Sequence, residues 1–233
     1  MSRRQSRGTS VLKKRRQQTR RRWMIIGGTI GALIIAAVLF FTFRPVDVSL
    51  PDDWDTAYEG LTQSESTEGF PQLGDPNAPI EVLEFASFTC PACNQLHETT
   101  ISNIHDLVEG GEVRIVYVPV NNIGGSGADE TARAGYCAQE QDMFWEMHDV
   151  MFYWQKRVNP SERRLKAAAE EMGMDADVFE ECLDSGDTRS AVERGMGEFQ
   201  RRGLNSTPVV YLNGDRLENW GSLRGEIEQI LGD

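Results

Sequence analysis

The sequence predicts an α/β domain ordered β-α-β, a helical block, then β-β-α, carried behind one apolar helix. Three observations predict it. Short β-branched runs stand at residues 80–85, 113–118 and 209–212. Helical apolar spacing fills most of the stretch between the second and third. A single long uncharged segment lies near the N-terminus. With 39% hydrophobic and 26% charged residues in 233, the chain has enough apolar material for a packed core, which excludes wholesale disorder.

Charge divides the chain. Residues 1–22 carry ten Lys/Arg and no acid, whereas residues 45–233 carry 13 Lys/Arg against all 36 Asp/Glu. The basic tail is thus +10 and the body −23, and so acidic a body argues against a nucleic-acid partner. Between them Trp23 to Phe43 are 21 residues without a charge, long enough as a helix to cross roughly 30 Å of hydrocarbon. The positive-inside rule keeps residues 1–22 in the cytoplasm and sends the rest outside. A cleaved signal peptide competes with this reading. The length of the run and its bulky end at Leu39, Phe40 and Phe41 favour an uncleaved transmembrane anchor over residues 23–43. Residues 44–74, with Pro45, Pro51 and Pro71, a DDWD cluster and the polar run Thr62 to Gly69, read as a linker.

The domain is expected over residues 75–233. Ile80 to Phe85 is a strand. Leu96, Ile101, Ile104, Leu107 and Val108 mark a helix ending at Gly110-Gly111, and Val113 to Val118 is a second strand. Strand, helix, strand implies a parallel pair. A Gly/Asn-rich loop, Asn121 to Gly127, leads into a helical block over about 128–202, broken near Pro160, Gly173 and Gly186 into four helices. Val209 to Leu212 is a strand, Asn213-Gly214 a hairpin turn, and Leu223 to Leu231 a last helix.

The chemistry points to Cys90-Pro91-Ala92-Cys93, placed between a strand and a helix start. Unpaired N–H groups at that end favour a thiolate, so Cys90 is expected as the nucleophile and Cys93, one turn in, as the resolving thiol. Pro91 suits a first helical turn. Half a zinc site is a poorer reading, because Cys137 and Cys182 lack a second paired spacing. Haem attachment would need His at position 94, which is Asn. An inert disulfide fits the strand-to-helix position less well than a redox pair. Cys137 and Cys182, 45 residues apart, are expected to pair outside the cytoplasm, as a structural bridge rather than a second redox pair. Glu84 stands in an apolar strand six residues before Cys90; alternation leaves open a solvated edge or a site beneath the cysteines. Thr207-Pro208 stands at the entry of a strand, where a trans proline is ordinary. His97, His105 and His148 are scattered; His97, one turn after Cys93, is placed to touch the active-site helix, but surface or helix-packing roles are the simpler reading for all three.

The stretch Val82-Leu83-Glu84-Phe85-x-Ser87-Phe88-x-Cys90-Pro91-x-Cys93, with Phe144-Trp145-Glu146-Met147-His148-Asp149, Phe179-x-x-Cys182-Leu183-Asp184 and Thr207-Pro208, resembles the DsbA family of thioredoxin-fold thiol–disulfide oxidoreductases, in its membrane-anchored branch. The likeness runs over about residues 70–233. It implies a thioredoxin-like fold with an inserted helical subdomain. It implies that Cys90 and Cys93 exchange disulfides, that Thr207 and Pro208 form the cis-proline loop, and that a buried Glu84 relays protons to the resolving thiol. It implies thiol-containing exported proteins as substrates, a quinone-linked membrane partner that reoxidises the pair, and no organic cofactor. Lipid would be met through the anchor, with the N-terminus cytoplasmic and the catalytic domain extracytoplasmic. Pro-Ala stands between the cysteines where well-known oxidases of the family carry Pro-His, so a reductase or isomerase, kept reduced by another membrane protein, is the alternative to an oxidase. A chaperone-like binding module is a third reading.

Overall fold

The computed structural model describes residues 5–43, 46 and 48–232. They fall into two compact units, divided after residue 46. The first is one helix, α1 (Gln5–Phe43). Its stretch Arg22–Phe41 is 20 residues, long and apolar enough to cross a membrane, and none of it is buried against protein.

The second unit is built on a six-stranded sheet in the order β1-β2-β4-β3-β5-β6. The centre is β3 (Ile80–Ala86), parallel to β4 (Val113–Pro119) and antiparallel to β5 (Val209–Leu212). Both central strands are buried on both faces, which explains their near-continuous apolar sequences. Between them runs a helical stretch: α2 (Pro91–Leu96), a π turn at His97–Ile101, a short 3-10 turn and α3 (His105–Glu109). Val82, Ala86 and Tyr117 face these helices and the larger core. Leu83, Phe85 and Val118 face a smaller core closed by Phe199 and Leu204. At the far edge Asn213 and Gly214 both take positive φ, at 49° and 88°, and turn β5 into β6 (Asp215–Arg216). A type I′ hairpin requires that conformation. The last helix, α9, is Leu223–Gly232.

The helical block holds five helices, not four: α4 (Ala128–Gln139), α5 (Phe144–Trp154), α6 (Glu162–Glu171), α7 (Ala176–Asp184) and α8 (Gly186–Arg201). The extra break falls at residues 140–143, where Asp142 adopts φ 57°. No Gly or Pro marks that turn.

The expected linker over 44–74 needs correction, because its described residues from 48 onward belong to the domain. Val48, Leu50, Trp54, Tyr58 and Leu61 pack against the core. Trp154 Nε1 donates to the Ser49 carbonyl at 2.6 Å, and Tyr58 donates to Asp149 Oδ1 at 2.7 Å. Farther on, β1 (Gln63–Glu65) and β2 (Pro71–Leu73) add two antiparallel strands beside β4. A polar segment can pack in this way because its hydrogen-bond partners wait on α5 and β4, where local sequence cannot reveal them. Pro45 lies outside the described residues.

Candidate active site

Strand β3 ends at Ala86, and the chain turns through Ser87, Phe88 and Thr89 to Cys90, the N-cap of α2. The Cys90 carbonyl accepts the Cys93 and Asn94 N–H groups at 3.1 and 3.2 Å, closing the first turn. Pro91 occupies the first helical position, where no N–H is missed. Both Cys90 and Cys93 are free thiols, Cys93 fully buried and Cys90 nearly so.

The two sulfurs are electrically unequal. The Cys90 thiol is pushed down to about 5, first by a hydrogen bond from the Cys93 thiol. Burial opposes the shift, and Thr207 and the N–H groups of Cys93 and Ala92 add to it. As a thiol, Cys90 donates to the Thr207 carbonyl at 3.5 Å. The Thr207 hydroxyl also favours the Cys90 thiolate, and its buried oxygen has no hydrogen-bond partner among the described residues. The Cys93 thiol is pushed far up, by burial and by its bond to Cys90, although the Ser87 N–H contacts its sulfur at 3.4 Å. One proton is thus held on Cys93 and shared toward Cys90. The Ala92 side chain contributes no donor, so the acidity arises from backbone, Cys93 and Thr207.

The peptide bond from Thr207 to Pro208 is cis, which sets this turn beside Cys90. Glu84 lies on β3 with Val82 and Ala86 on the side facing α2. It is buried, with Oε1 unpartnered among the described residues, so it is no solvated edge residue. Burial alone pushes its carboxyl up to about 8, leaving it mostly protonated at neutral pH. Its register partner on β4 is Tyr117, whose buried hydroxyl also lacks a partner. Cys137 on α4 and Cys182 on α7 are disulfide-bonded, and the Thr188 hydroxyl lies 3.1 Å from the Cys182 sulfur.

Three further groups hold the site; sequence reasoning missed Gln155 and the Gly124-Gly125 loop and gave His97 only as a neighbour of the active-site helix. Gln155, just past α5, donates from Nε2 to the carbonyls of Phe88 at 3.1 Å and Cys90 at 2.9 Å. The loop at Gly124 and Gly125 presses on the same turn. Gly125 N–H donates to Thr89 Oγ1 at 3.0 Å, and a Cβ on Gly124, at φ 109°, would run into that hydroxyl. Finally, His97 on the π turn meets His148 and Asp149 of α5. Asp149 Oδ1 contacts His148 Nδ1 at 2.9 Å and His97 Nε2 at 3.4 Å, besides accepting from Tyr58. Burial pushes the Asp149 carboxyl up, but its bonds from His148 and Tyr58 and the charge of His97 outweigh this and hold it below the ordinary value. Burial and the neighbouring His148 push His97 down to about 4. These donor atoms lie within 4.8 Å of one another, a spacing a metal ion can use. One carboxylate oxygen already takes up the bonds, and the cluster braces the active-site helix against α5. The only local signal was the position of His97 one turn beyond Cys93.

This arrangement, an acidic thiol at a helix start with a buried thiol one turn on and a buried carboxyl on the preceding strand, is suited to disulfide exchange. Comparison with known proteins agrees. A family model described as Thioredoxin matches residues 66–229. The probable disulfide bond formation protein D of Bacillus anthracis is 28% identical over 168 residues, covering 68% of this chain and 77% of that protein. The Na(+)/H(+) antiporter NhaA 3 of Salinispora tropica is 31% identical over 145 residues, which is 61% of this chain but 21% of the antiporter. Among solved structures, oxidised BdbD from Bacillus subtilis superposes with a TM-score of 0.65 at 24% identity, covering 74% of this chain and 98% of that one. The chain belongs to the thioredoxin family, as a thiol–disulfide oxidoreductase of the DsbA type.

Proposed function

We propose that this protein is a membrane-anchored dithiol oxidase that introduces disulfides into exported proteins. The observation that carries this reading is the convergence of donors on the Cys90 sulfur, which holds its thiol near 5. A stabilised thiolate stabilises the reduced form, and a pair that prefers to be reduced is an oxidant. For the anchor, the support is the apolar span Arg22–Phe41 with nine more basic residues ahead of it, which keeps the N-terminus cytoplasmic.

In the oxidised protein a substrate thiolate attacks Cys90 Sγ. The Cys90–Cys93 bond breaks, a mixed disulfide forms at Cys90, and Cys93 departs with the electron pair. Cys93 is buried and cannot stay charged, so it takes a proton; the neutral carboxyl of Glu84, on the face of β3 turned toward α2, is the donor and regains its proton from solvent before the next turnover. The second substrate thiolate then attacks the substrate sulfur of the mixed disulfide and expels Cys90 as a thiolate. Two electrons have passed from the substrate dithiol to the cysteine pair. A quinone-linked membrane partner returns the pair to the disulfide. Thr207 and Pro208 present backbone beside the reacting sulfur, where an extended substrate strand can pair.

The test is the reduction potential of the full chain in detergent, equilibrated in glutathione buffers, with the Cys90 titration read alongside. An oxidase gives a potential well above about −270 mV and toward about −120 mV. A value at or below about −270 mV overturns the oxidase direction and makes the protein a reductase.

A further inference from the structure

We propose that a groove beside Cys90 receives the acidic flank of the substrate polypeptide. This rests on the thiol-exchange reading above. The groove has a volume of 390 Å³, and Phe88, Thr89, Gln155, Lys156, Arg157 and Pro160 are among its walls. Phe88 and Thr89 immediately precede Cys90, so an occupant of the groove lies against the active-site turn.

Charge distinguishes this groove from the rest of the domain. Residues 45–233 hold 36 acids and 13 bases, yet five of those bases (Lys156, Arg157, Arg163, Arg164 and Lys166) fall within residues 156–166, beside one acid, Glu162; of the five, Lys156 and Arg157 wall the groove, while Lys166 is paired with Asp177 and Glu180. The two that wall the groove are exposed and keep their charge available. Lys156 meets Glu98 at 3.7 Å between two solvent-exposed side chains, a pairing worth little and readily exchanged. The Arg157 guanidinium lies 3.9 Å above the Tyr153 ring and donates from one nitrogen to the Tyr153 carbonyl. Its remaining N–H groups can take a carboxylate.

The chemistry of exchange makes such a rim useful. The attacking species is a thiolate, and a body carrying −23 repels anions at a distance. A local cationic rim beside the active-site turn offsets that repulsion and favours substrates whose cysteines are flanked by Asp or Glu. An anionic membrane surface could meet the same cations. The peptide is favoured because the active-site turn itself walls the groove.

The test compares dithiol peptides sharing one cysteine core, flanked by Asp/Glu or by Gln, as substrates of the full chain in neutral detergent. The expected acidic-to-neutral ratio of kcat/KM is roughly fivefold to tenfold at low salt, shrinking at about 0.3 M salt. In the double variant Lys156→Glu, Arg157→Glu the ratio falls to about one or below. Arg189→Glu, exposed on α8 and outside the groove, leaves it intact and controls for global charge. Equal rates for both peptides in the unaltered chain overturn the inference, as does an equal fall in Arg189→Glu. So does a result in which these cations bind phosphatidylglycerol vesicles while no peptide preference exists. If no peptide is oxidised at all, the exchange reading has failed and this inference falls with it.

Discussion

The protein carries two cysteine pairs in contrasting settings. Cys90 and Cys93 sit at the junction of β3 and α2, two residues between them, with donors converging on one sulfur and burial isolating the other. Cys137 and Cys182 are bonded near the C-terminal ends of α4 and α7, closing a loop of 45 residues, and among the described residues the Thr188 hydroxyl is the polar group at their sulfurs. Both pairs are largely buried, so exposure does not separate them. What differs is whether the fold stabilises the broken bond. At Cys90 it prepares a place for a thiolate. At Cys137 and Cys182 the bond ties helices together across a long loop, where chain entropy favours keeping it.

The contrast breaks most sharply on Cys90→Ser, for which peptide-oxidation activity is expected to vanish while the unfolding midpoint hardly moves. The variant Cys137→Ala, Cys182→Ala is expected to do the opposite. Its exchange rate stays within a few fold, while urea unfolding shows a loss of about 4 kcal/mol. Residual activity in the first variant, or lost activity in the second, would dissolve the distinction.

Glu84 sharpens the active pair further. With its carboxyl raised from 4.5 to about 8, the folded chain holds a proton that the unfolded chain has released. The Glu84 contribution to stability should therefore fall as pH rises through that window, by up to about 5 kcal/mol. In the oxidised chain Cys90 and Cys93 do not titrate, and the opposing gain from His97, lowered from 6.5 to about 4, is complete by about pH 6.5, so the decline is read above that pH. Glu84→Gln should flatten the decline, and an unchanged slope would mean that the carboxyl is not buried in solution. The smallest effect belongs to Gln155→Ala, which frees the Phe88 and Cys90 carbonyls. A loss of about 1 kcal/mol is expected, together with a Cys90 titration displaced upward when followed by thiolate absorbance.

The alternation of strand, helix and strand, the hairpin at Asn213-Gly214 and the placement of Cys90 at a helix start are legible because each is written within a few adjacent residues. The break at 140–143 is not, since Asp142 takes a left-handed conformation without glycine or proline to announce it. Gln155 reads as an ordinary polar residue after an aromatic helix. Its meaning lies in two carbonyls about 65 residues earlier, and no local pattern encodes a tertiary hydrogen bond. Residues 48–74 failed for the same reason: short polar strands and scattered aromatics acquire partners only once α5 and β4 stand beside them.

That strap has a practical consequence for anyone dividing the chain. The family model begins at residue 66, beyond Ser49, Trp54 and Tyr58. A fragment cut there would leave the Trp154 indole N–H without its acceptor, strip Asp149 of the Tyr58 hydroxyl and bare an apolar stripe along α5. Such a fragment would be prone to self-associate. The smallest piece that keeps its own surface closed begins near residue 48.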